Sequence, residues 1–151
     1  MDLMKLVALD HDDIEVVSAH VQDSTVKVAD IVWRPAEKRL ILGLHRFDWE
    51  AAGCCDATCY QRRLAALRFD RVMACKCRNI IPKNKDSVLN LLAVEFAETT
   101  APSGIVTLIF SGGAAIRLDV ECLECELADL GPTWTTVTCP AHPDDAATLR
   151  S

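Results

Sequence analysis

The tightest constraint in this sequence is a glycine pair flanked by alternating apolar residues. Ser111-Gly112-Gly113 separates the run at 105–110 from the run at 114–121. In the second run Ile116, Leu118 and Val120 share one parity, and Arg117, Asp119 and Glu121 share the other. A period of two sends these sets to opposite faces of a strand. Glycines supply the positive φ angles that a tight hairpin needs. The chain must therefore contain an antiparallel pair with one apolar face, and such a pair needs further elements to cover it.

Neighbouring segments supply them. Residues 88–98 read as a strand with Val94 and Phe96 inward and Glu95 outward, linked by a loop at 99–104 that holds Pro102 and Gly104. Upstream, 26–33 and 39–49 form an expected hairpin about a turn at 35–38. Leu40, Leu42 and Leu44 share one parity, whereas Phe47 and Trp49 take the other, which predicts a bulge near His45 and Arg46. Residues 64–77 read as one strand with Leu67, Phe69, Met73, Cys75 and Cys77 on one face, and Arg71 is the misfit on that apolar side. Residues 50–61 lack a period and make the longest candidate loop.

Two helices are expected. The first spans 10–22, with Asp10 as N-cap, Asp12, Asp13 and Glu15 near the positive end of the dipole, and Ile14, Val17 and Val21 as a narrow apolar stripe. The second is short, over 122–129, drawn from the spacing of Cys122, Leu123, Leu127 and Leu130 before the stop at Gly131-Pro132, with continuation of the preceding strand as the alternative for this segment. The expected class is α+β: a mainly antiparallel, strongly bent sheet or partly open barrel, with a pleckstrin-homology-like outline by element order.

The chain has 151 residues, enough for one domain that buries about 70% of its unfolded surface without a disulfide or metal. That domain is expected to span 1–138, with an irregular tail at 139–151. The formal net charge is −6 and no dense basic run occurs, which argues against nucleic acid. The N-terminus has no basic-then-apolar leader, and no apolar run approaches the roughly 18 residues a membrane span requires. The expected location is the cytoplasm, where thiols stay reduced.

Eight cysteines then invite a zinc reading. Cys55 with Cys59, and Cys122 with Cys125, have ligand-like spacing, but neither pair sits on a glycine-bearing knuckle. Cys75 and Cys77 lie within a strand as small hydrophobes. The reading taken is that the cysteines are filler and no cofactor is needed, with zinc at Cys55, Cys59, Cys122 and Cys125 as the alternative. His11, His20, His45 and His142 sit in no motif. Asp10, His11, Asp12 and Asp13 read as a helix start, and the glycine turn lacks the lysine of a phosphate loop. No catalytic residue is assigned.

Several segments together resemble a known family. They are Lys5–Asp10 with Ser18–Asp23, Arg46-Phe47-Asp48-Trp49-Glu50, Arg68-Phe69-Asp70-Arg71-Val72, and Ile116–Cys122 with Asp129-Leu130-Gly131-Pro132. The chain is similar to short bacterial proteins grouped as domain of unknown function 2948. The resemblance spans nearly the whole chain and implies no activity, cofactor or site. It does point to a polar cluster of His20, Gln22, Asp23, Arg46, Trp49, Arg68 and Arg71, should those element ends meet. The functional expectation is a non-enzymatic binding or interaction module with a protein partner or a second copy of itself. A cysteine-bound metal or thiol-redox protein is the alternative, and a small enzyme with a pocket near 50–61 the third.

Overall fold

The computed structural model describes residues 3–47, 60–130 and 134–136. Within them the elements are β1 (Lys5–Ala8), α1 (His11–Val21), β2 (Ser24–Lys27), β3 (Ile31–Arg34), β4 (Arg39–Phe47), β5 (Tyr60–Phe69), β6 (Val72–Arg78), β7 (Val88–Glu98), β8 (Gly104–Phe110), β9 (Ala115–Val120), β10 (Cys125–Asp129) and β11 (Trp134–Thr136). They form one mainly antiparallel sheet with a single α-helix among the described residues. Its hydrogen-bonded order is β1-β10-β5-β4-β2-β7-β8-β9-β6, with β3 also on β4 and β11 on β5. β1 and β6 are therefore its two edges.

The helix forms as the sequence expects. The Asp10 side chain accepts a hydrogen bond from the Asp13 amide at 2.8 Å, and Ile14, Val17 and Val21 are the buried residues of α1. The β8–β9 pairing also follows expectation. Gly112 and Gly113 take φ of 75° and 74°, and Ile116, Leu118 and Val120 are buried. Leu40, Leu42 and Leu44 of β4 join Leu67 and Phe69 of β5 in the same core.

Six expectations are corrected. Residues 122–129 do not make a helix. Cys125, Leu127 and Asp129 alternate inward on β10, which is flanked by β1 and β5. Two flanking strands satisfy the backbone that a helix would have satisfied internally. With that helix gone and the strand order open, the pleckstrin-homology-like outline is not reproduced.

The expected strand at 64–77 is two strands. Arg71 adopts φ 63° in the turn between β5 and β6, which explains its place among apolar neighbours. Residues 26–33 are likewise interrupted by a 3-10 turn at Val28–Asp30.

The bulge expected at His45 and Arg46 is absent. The β4–β5 register runs unbroken from Leu40↔Phe69 to Phe47↔Arg62, so Arg46 stays on the core-facing parity. A register shift occurs instead between Leu91 and Ala93 of β7, so the buried residues change parity from Leu91 to Val94 and Phe96. A second shift, between Val72 and Ala74, leaves Met73 exposed rather than beside Phe69 in the core. The tail at 139–151 and most of the loop at 50–61 lie outside the described residues. No helix among the described residues is long and apolar enough to cross a membrane.

Candidate functional site

Two places gather polar side chains. The first is the charged end of the core. On β4 the inward series Leu40, Leu42, Leu44 continues as Arg46; on β10 Cys125 and Leu127 continue as Asp129. Arg46 donates from Nε to Asp129 Oδ1 at 2.9 Å and from Nη2 to Oδ2 at 3.0 Å. The Met4 amide donates to the same carboxylate at 3.0 Å, and the Asp129 amide returns a bond to the Met4 carbonyl at 2.9 Å. Arg63 of β5, opposite Arg46 in register, brings Nε to 3.9 Å from Asp129 Oδ2. The Asp129 side chain is fully buried and that of Arg46 is 6% exposed. A buried charge is tolerated only when paired and hydrogen-bonded, and this one is both. Because it is sealed, the cluster ties β1, β4 and β10 together around β5 and presents no face to a ligand.

The second place is open. Helix α1 lies across β7, and the Ser18 hydroxyl accepts a hydrogen bond from the Val94 amide at 2.9 Å, just past the register shift. Between helix and sheet runs a groove of about 600 Å³, lined by His11, Glu15, Ser18 and Gln22 on the helix side and by Glu95 and Phe96 on the sheet side. An adjoining recess of about 460 Å³ shares His11, Phe96 and Ala97 with it and adds Asp10, Glu98, Cys122 and Leu123. Phe96 is 8% exposed and forms apolar floor. Asp10, Glu15, Glu95 and Glu98 supply the carboxylates, and among the described residues no Lys or Arg lines either cavity. His11 Nδ1 lies 3.8 Å from Glu15 and 3.9 Å from Asp12, so the cation it forms when protonated is shared with acids.

The polar cluster expected from the kin-like segments is dispersed. His20 Nδ1 is hydrogen-bonded to the Val16 carbonyl of its own helix at 2.9 Å. Gln22 caps that helix and lines the groove, and Asp23 follows with φ 65°. Arg46 is in the buried cluster. Arg68 is on the outer face of β5, bound to Asp70 at 3.0 Å and Glu126 at 3.4 Å. Arg71 holds Glu124 at 3.3 Å. Trp49 lies outside the described residues, as do Cys55 and Cys59. Cys122 and Cys125 are free thiols, the first half-buried in a bend and the second buried at the start of β10. Among the described residues no cysteine belongs to a group of three metal-ligating side chains; the one such group is exposed His11, Asp12 and Glu15.

The groove was not legible beforehand. Ser18 and Glu95 are ordinary polar residues in the sequence, and only the crossing of α1 over β7 brings them together. The one available signal was Glu95 facing outward between Val94 and Phe96.

Fold and site define a class first: a mainly antiparallel β domain with one helix laid across the sheet and an acidic groove beneath it. The chain belongs to the family described as "Protein of unknown function (DUF2948)", whose profile matches residues 4–142. No curated protein and no solved structure matches the chain.

Proposed function

We propose that this domain is a protein-interaction module and that the α1–β7 groove receives a basic, extended segment of a partner protein. The observation that carries the reading is the charge of the groove: an apolar floor at Phe96, carboxylates from Glu15, Glu95, Asp10 and Glu98, and no Lys or Arg in the lining among the described residues. Such a lining favours cationic ligands through complementary potential and disfavours acidic ones. Carboxylates beside the apolar Phe96 floor suit a segment that carries both basic and apolar side chains. Ser18, already bonded to the Val94 amide, holds the helix at a fixed spacing from the sheet.

The test is a fluorescence-anisotropy titration of the full chain with a labelled eight-residue peptide alternating Lys and Leu. A peptide alternating Glu and Leu serves as control. The expected outcome is saturable binding of the first and none of the second. The charge-reversed variant Glu15→Lys/Glu95→Lys should bind at least roughly tenfold more weakly, about 1.4 kcal/mol. Equal binding by the variant removes the groove from the account.

A further inference from the structure

Strand β6 is an edge of the sheet and carries two free thiols two residues apart, Cys75 and Cys77. They stand opposite Leu118 and Ile116 of β9, both fully buried, so both sulfurs are on the core-facing side. Two residues along a strand span about 6.6 Å, and side chains of one parity converge within that spacing. Cys75 is half-buried against the core, whereas Cys77 is exposed, which gives the pair an apolar inner end and an entrance from solvent.

Paired thiols on an apolar rim are a soft donor set. Zinc completes its shell with four donors. No third His, Cys, Asp or Glu joins these two among the described residues. Two sulfurs alone satisfy a monovalent d10 ion, which takes two thiolates in a near-linear arrangement. We propose that Cys75 and Cys77 form a two-thiolate binding site for a thiophilic monovalent cation, copper(I) being the biological example. Binding breaks two S–H bonds, forms two S–Cu bonds and releases two protons, with no change of oxidation state. The resulting site carries one negative charge.

The experiment offers copper(I), from its bathocuproine disulfonate complex under anaerobic conditions, to the ¹⁵N-labelled full chain and to the Cys75→Ala/Cys77→Ala variant. The wild type should withdraw one more equivalent of copper than the variant. Its amide shifts should centre on Cys75, Lys76 and Cys77 and on Ile116 and Leu118 across the ladder. Equal uptake by the two proteins, or shifts in the wild type that leave these five amides unmoved, overturns the proposal. The shift map needs only the wild type and decides the question even where the variant does not fold.

Discussion

The Arg46 guanidinium spans the width of β5 to hold Asp129 of β10 through two parallel hydrogen bonds, 2.9 and 3.0 Å long. Neither residue is adjacent to the other in the ladder, so the pair fixes the spacing of three strands at once. With Met4 it also secures edge strand β1.

Arg46→Met removes both hydrogen bonds that Arg46 donates to the fully buried Asp129 carboxylate. The change is expected to cost about 3–5 kcal/mol, read as a drop in the urea midpoint. The joint change Arg46→Met/Asp129→Leu should recover part of that loss, because it removes the buried carboxylate together with its bidentate donor. A double variant no more stable than Arg46→Met contradicts the assignment of the penalty to the buried carboxylate.

Gly104 is a second point of close approach. A Cβ there would lie 2.5 Å from the Phe96 ring and 2.6 Å from the Ala97 carbonyl oxygen. Gly104→Ala should therefore destabilise by about 1–3 kcal/mol through overpacking. Since Phe96 also floors the groove, the same change should weaken Lys/Leu peptide binding. Thermal unfolding and the anisotropy titration check the two effects separately.

Ser24 presents the opposite case. It is fully buried on β2, and its hydroxyl has no hydrogen-bond partner. Ser24→Ala removes an unsatisfied group and should raise stability by about 1 kcal/mol. Loss of stability in a denaturant titration means the hydroxyl is satisfied in solution.

The thiols set a pH dependence. Burial pushes Cys75 up to about 12 and Cys125 higher still, while an unfolded thiol ionises near about 8.5. Above that pH the unfolded chain loses protons that the folded chain keeps. Their contribution to stability is therefore fully present below about pH 8.5 and declines as pH rises. Denaturant midpoints should fall between pH 8.5 and 10.5, less steeply for Cys75→Ala/Cys125→Ala than for the wild type.

Where interactions are local, the sequence is sufficient. Asp10 with Ile14, Val17 and Val21 specifies α1, and the Gly112-Gly113 turn specifies the β8–β9 pair. Most of the failures share a cause, partners distant in the chain. Leu123, Leu127 and Leu130 imitate a helical stripe, but β10 is made a strand by β1 and β5. Its inward series ends on Asp129, which any apolar period rejects from a core until Arg46 is known to face it. The parity of Phe47 and Trp49 called for a bulge near Arg46, whereas the β4–β5 register runs through it unbroken. Arg71 looked misplaced because its backbone turns there, and a positive φ at arginine leaves no mark in a hydrophobic pattern. The groove required a helix and a strand some 76 residues apart in the chain, as Ser18 and Val94 are.

The groove's role is tested most directly by mapping amide shifts in the ¹⁵N-labelled full chain as the eight-residue Lys/Leu peptide is added. Saturable shifts centred on Glu15, Ser18, Val94, Glu95 and Thr107 are the expected result. Shifts that fail to saturate, or that centre on other parts of the sheet, contradict it.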